Sequence, residues 1–130
     1  MRNLHHQRIG LYLARLLIKR GVTVKNQTVI CTYRVRPDRE ESFQALLADH
    51  WSTLHDLGLV TDSKPIIFRS VDNPPTYVEI FTWVEGGFDQ AHEHPDVLAI
   101  WEPMEYLLEK REGLPRWEFP HYVPWEPTDR

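Results

Sequence analysis

Cysteine is nearly missing from this sequence: Cys31 is the only one in 130 residues. A single cysteine excludes an internal disulfide and suits a reducing compartment, so the expected location is cytoplasmic. Between Ile30 and Thr32, with no Lys or His beside it, the thiol reads as inert packing rather than as a nucleophile. No run of 18 apolar residues occurs, which argues against a membrane span. Glycine-rich phosphate loops, nucleophile elbows, internal repeats and low-complexity tracts are also missing. Acid is absent from residues 1–25, which hold six Lys or Arg; the net charge of −4 therefore leaves −10 on the remainder. A body that acidic repels phosphate backbones and makes a poor nucleic-acid partner.

What is present divides in two. Residues 1–25 form a basic extension with helical spacing, Ile9, Tyr12, Leu13, Leu16 and Leu17 gathering on one side before Gly21. Arg15 interrupts the apolar run and no small-residue cleavage site follows, so a secretory signal is a poor reading. A membrane-surface helix, an arm on a partner subunit and a functionless extension all remain open. Residues 26–130 have the composition of one globular domain, large enough for a single core.

Within that domain, Gln27–Arg36 reads as a first strand, with Val29, Cys31, Tyr33 and Val35 on one face and Ile30, Thr32, Arg34 and Arg36 on the other. Asp38, with Glu41 three residues on, makes a capping box and predicts a helix starting there. Phe43, Leu46, Leu47, His50, Leu54 and Leu57 form its apolar stripe, and Gly58 closes it. Strands are predicted over 64–71 and 76–84, joined as a hairpin by Asp72, Asn73, Pro74 and Pro75. A second helix starts at Pro95, after a short turn capped by Asp89, and Pro103 is expected to kink or break it near Glu102. Arg116–Val123 reads as a last strand, which Pro120 confines to an edge or to a partner crossing.

Strand, helix, strand, strand, helix, strand is the order of an α+β ferredoxin-like domain, βαββαβ with a four-stranded antiparallel sheet. Two helices cover one face of such a sheet. In the third strand the β-branched set Val78, Ile80 and Thr82 is expected under the helices. That assignment leaves Tyr77, Glu79, Phe81 and Trp83 on the other face, to be covered by the sheet of a second subunit.

The stretches YRVRPDREESFQALL, YVEIFTWVEGG and AHEHPDVLAIWEPM resemble the dimeric α+β barrel superfamily, in particular its antibiotic-biosynthesis monooxygenase-like members. The resemblance covers residues 27–123. It implies a homodimer, a hydrophobic small-molecule ligand and, for some relatives, oxygenation without a cofactor. It carries over no catalytic motif, because such a scaffold is shared without shared catalytic residues.

Candidate chemistry rests on a few side chains. Glu79, flanked by Tyr77 and Phe81, is a desolvated carboxylate suited to act as a base, and the competing reading pairs it with Arg34 on the neighbouring first strand. His92 is a second candidate, as a base or donor at a cavity mouth. His92 and His94 could join Glu79, His50 or His121 around a metal, but a His-x-His pair is not diagnostic; no metal or cofactor is assigned, and His94 is expected to serve the start of the helix. His50 sits on the apolar stripe, where a satisfied core histidine competes with a ligand role. Trp83 and Trp117, on strands, are pocket candidates with Tyr77, Phe81, His121 and Arg34, whereas Trp51 and Trp101 occupy core-like helical positions. Two functions follow: a cofactor-independent monooxygenase-like enzyme acting on a hydrophobic or aromatic substrate, or a non-catalytic binding or structural module whose barrel its own side chains fill.

Overall fold

The structure, a computed structural model, describes residues 26–128, so the basic extension lies outside the described residues. The element order is β1 (Gln27–Arg34), α1 (Glu40–Asp56), β2 (Ile66–Arg69), β3 (Thr76–Trp83), α2 (Gly87–Ala91), α3 (Pro95–Tyr106), β4 (Trp117–Glu118) and β5 (His121–Tyr122). The antiparallel sheet runs β2-β3-β1-β4, and β5 also pairs with β1. This is the α+β, ferredoxin-like arrangement expected from the order of elements. Among the described residues no helix is long and apolar enough to cross a membrane.

The central pair, β1 and β3, is locked over eight residues, from Gln27↔Trp83 to Arg34↔Thr76, with Cys31 opposite Glu79 and Tyr33 opposite Tyr77. Alternation then sets the layers. Val29, Cys31, Tyr33, Tyr77, Glu79, Phe81 and Trp83 are all buried, beneath Phe43, Leu47, His50 and Leu54 of α1 and Val97, Ile100 and Met104 of α3. The expected facing is therefore reversed. The aromatic, acid-bearing set lies under the protein's own helices, and Ile30, Val78, Ile80 and Thr82 form the opposite, partly exposed surface. Large rings fill the gap between a sheet and helices about 10 Å away, which short β-branched residues would leave void.

Local deviations have local causes. α1 begins at Glu40 with Arg39 as N-cap and no side-chain cap, because the Asp38 carboxylate lies 3.4 Å from the Arg39 guanidinium instead of meeting the helix amides. Glu40 in the first turn is held by Arg69 and Tyr77 across the sheet end. α3 does start at Pro95, with the His94 ring accepting from the Asp96 amide at 3.1 Å, and it continues past Pro103 to Tyr106 instead of breaking at Glu102. The last strand is two short pieces interrupted at Phe119 and Pro120, both paired to β1 in one unbroken register. Proline lacks a donor for the ladder, yet its carbonyl still accepts from the Ile30 amide at 3.2 Å, on the outermost strand where proline is tolerated.

Gly87 holds α2 against the end of α1. The Gly87 amide donates to the Val84 carbonyl, the Val84 amide donates to the Leu59 carbonyl, and an added Cβ at Gly87 would lie 2.1 Å from the Leu59 oxygen. Backbone has to move to admit it, so Gly87→Ala is expected to cost about 2–3 kcal/mol. At Gly58, where φ is +75° and nothing lies within 4 Å, Ala meets only the left-handed backbone penalty, about 1 kcal/mol. Urea unfolding of both variants checks the difference; equal midpoints would refute the close approach at Gly87.

Candidate functional site

A cavity opens between the sheet and the helices. Its walls come from the sheet (Val29, Cys31, Tyr33, Phe81, Trp83), from His50 of α1, from Phe88, Trp101 and Met104, and from Trp117 and Phe119. The void measures about 440 Å³ counting its mouth, of which the centre of a water molecule can occupy about 40 Å³. That is room for roughly three waters.

One polar chain runs through this apolar wall. The Tyr33 hydroxyl donates to Glu79 Oε1 at 2.8 Å, and His50 Nδ1 meets the same oxygen at 2.9 Å. On its far side, His50 Nε2 accepts from the Trp101 indole N–H at 2.9 Å. An indole only donates, so Nε2 presents a lone pair and the proton of the neutral ring sits on Nδ1, aimed at Glu79. Glu79 is fully buried and His50 is 2% exposed. Burial pushes the Cys31 thiol well above its ordinary range, the Glu79 charge adding to it, and it pushes the Tyr33 hydroxyl up in the same way.

The register explains how these groups meet. Tyr33 lies diagonally across from Glu79 on the same sheet face, and α1 lays His50 over that pair on its buried stripe. Arg34, offered as a partner for Glu79, has the opposite parity: it pairs with Glu118 at 2.7 Å and donates to the Pro115 carbonyl at 2.6 Å. Tyr77 is also drawn elsewhere, to Glu40 and Gln44 at the end of β3. The cavity thus gathers His50, Phe81, Trp83 and Trp117 from the residues expected to bind substrate, with Glu79 behind His50.

His92 and His121 form a neighbouring group outside that lining. Each ring stands edge-on to Phe88 at 4.3 Å, and His92 also packs on Trp101 at 5.3 Å. His92 Nδ1 donates to the Phe88 carbonyl and His121 Nδ1 meets Gln27 Oε1, each at 2.9 Å, while both Nε2 atoms are buried without a protein partner. Desolvation lowers the pKa of His92, and burial, with His92 nearby, brings His121 down to about 4. Among the described residues no three His, Cys, Asp or Glu side chains converge on a point that could hold a metal ion.

Two participants escaped the sequence reading. Tyr33 was placed on the correct strand face but given no role, and Trp101 was assigned to the core. Val97, Leu98 and Met104, three and four positions from it on α3, carry the apolar stripe, so periodicity alone could not separate a packing indole from one that donates to a histidine.

By sequence, no known protein family matches the chain, and no curated protein matches it either. Solved structures do. Rv0793 from Mycobacterium tuberculosis superposes with a TM-score of 0.62 at 16% identity, over 80% of this chain and 99% of that one. A variant of SnoaB from Streptomyces nogalater, described as a cofactor-independent oxygenase, gives 0.62 at 15% identity, over 82% and 100%. The likeness shows a shared α+β fold, an antiparallel sheet under helices. A conserved protein from Methanosarcina mazei Go1 shares it with a TM-score of 0.55 at 19% identity, over 75% and 91%.

The histidine pair has a consequence for pH. A lowered folded-state pKa means the unfolded chain binds more protons between pH 6.5 and about 4, so stability is full above 6.5 and falls as pH drops through that window. From pH 7 to pH 5 the loss attributable to His121 is about 2 kcal/mol. Urea midpoints at the two pH values test it: His121→Gln should lose that much less than wild type, and identical pH slopes would refute it.

Proposed function

We propose that this protein is a small-molecule enzyme in which His50 takes a proton from an aromatic substrate and dioxygen reacts with the resulting carbanion. The observation that carries the reading is the Glu79–His50 contact at 2.9 Å, which takes the Nδ1 side of the ring and leaves Nε2, met by the Trp101 indole, as its acceptor in the wall of an aromatic cavity. A buried carboxylate on Nδ1 fixes the tautomer and stabilises the imidazolium that forms. Glu79 then acts through His50 as a positioning residue, and Tyr33 holds the shared oxygen. The fold neighbour described as a cofactor-independent oxygenase supports the same chemistry by analogy.

The balance is simple. His50 Nε2 accepts a proton from an acidic C–H or O–H, and the delocalised anion adds dioxygen at carbon to form a peroxide anion. That anion recovers the proton from the imidazolium, and loss of water converts a CH2 to a carbonyl, consuming one O2 per substrate. His92, behind Trp101 and Phe88, lies one ring further from Glu79 than His50 does, so it ranks second as a base.

With a phenolic or anthrone-type substrate and an oxygen electrode, His50→Ala should lower the rate at least 10²-fold and Glu79→Gln by a similar factor. Wild-type uptake no greater than that of His50→Ala would reject turnover and favour a binding module, a reading that the narrow free space of the cavity supports.

We further propose that a second copy of the chain covers the open sheet face. Ile66 and Phe68 are 55% and 61% exposed there, beside Val78, Ile80 and Ile30. Apolar surface of that extent rarely stays wet on a stable monomer. Light scattering at micromolar concentration should give a dimer for wild type and a monomer for the Ile66→Asp, Phe68→Asp double variant; a monomeric wild type would overturn the assembly.

A further inference from the structure

The geometry points to Trp101 as a displaceable cap on His50, a specificity-determining residue that admits only ligands carrying a hydrogen-bond donor. This inference rests on the reading of His50 as the proton acceptor. His50 Nδ1 is committed to Glu79, so Nε2 holds the one lone pair the ring can offer, and the Trp101 N–H occupies it at 2.9 Å. In the closed arrangement the site therefore has no free base.

Opening it is a matter of one side chain. His50 is 2% exposed and Trp83 and Phe81 are each 3% exposed, whereas Trp101 is only partly buried. Its ring centroid lies 6.3 Å from His50 and 6.4 Å from Trp83, and the His92 ring stands nearer, edge-on at 5.3 Å. Room for roughly three waters does not hold a fused aromatic ring system, so any such occupant has to move a wall residue. Of the partly exposed wall rings, Phe88, Trp101 and Phe119, Trp101 is the one bonded to the catalytic histidine.

Displacement sets a chemical condition. A buried imidazole lone pair stripped of its donor is costly, so whatever replaces the indole has to donate in its place. A C–H cannot do this; an acidic O–H can. The ligand class is thus an aromatic ring system bearing a phenolic or enolic hydroxyl, docked O–H first onto His50 Nε2. In the reaction above, that hydroxyl is then the group that loses its proton. Trp101 makes the site discriminate against O-alkylated or unsubstituted rings of equal size and hydrophobicity.

Binding, not turnover, tests this. Uniformly 15N-labelled protein is titrated with 1-naphthol and, separately, with 1-methoxynaphthalene, following the Trp101 indole N–H resonance and the dissociation constants. Naphthol is expected to shift the Trp101 indole signal as its acceptor is lost and to bind at least about fivefold tighter than its methyl ether, the worth of one hydrogen bond. Trp101→Phe, which removes the competing donor while keeping a ring, should tighten naphthol binding by about the same factor. An indole resonance unmoved at saturating naphthol, equal affinity for the two probes, or no naphthol binding at millimolar concentration would each overturn the cap. The outcomes separate from those of the oxygenase reading: a shifted Trp101 signal without oxygen uptake leaves the cap and removes the enzyme, and oxygen uptake with Trp101 unmoved does the reverse.

Discussion

Everything near the cavity depends on one buried carboxylate. Glu79 sits at the middle of the central strand pair with no solvent contact, and a carboxyl group in that position is tolerable only if donors reach it. Tyr33 and His50 supply them on one oxygen, and the other oxygen has no protein partner. The arrangement ties β1, β3 and α1 together through polar atoms in a core otherwise built of rings. A hydrophobic residue of equal volume would pack there at no such expense, so the acid is retained at a cost to stability.

The same constraint orders the layers. Because His50 points from α1 into the sheet, Glu79 and its face-mates have to lie beneath that helix, and Phe43 packs at a tilt between Tyr33 and Tyr77, 5.1 Å from each. The open face inherits the smaller residues, and it is they, with Ile66 and Phe68 of the edge strand, that stay exposed or partly exposed. One choice of facing thus separates the molecule into an interior site and an exterior surface.

Much of this was legible in the chain before folding, and the failures are instructive. Alternation in 76–83 separated Tyr77, Glu79, Phe81 and Trp83 from Val78, Ile80 and Thr82 correctly, but a period of two says only that the sets oppose each other. Both sets are apolar enough to be buried, so the inward one could not be chosen locally. Arg34 was matched to Glu79 because their strands are neighbours; register places Thr76 opposite it and parity turns it to the other face. The capping box at Asp38 and the kink or break near Glu102 were local expectations: Asp38 meets the adjacent Arg39 instead of the helix amides, and α3 runs on through Pro103 to Tyr106.

The sequence by itself determined the kinds and order of the elements, the stripe carrying His50, the edge position of Pro120 and the presence of an acid among aromatic strand residues. These follow from spacing and backbone chemistry, which act over a few residues. Only the tertiary structure decided which sheet face turns inward, that Glu79 meets Tyr33 and His50 rather than Arg34, and that Trp101 closes on His50. Those contacts join residues 29 to 51 positions apart, and the register and helix packing that create them belong to the whole fold.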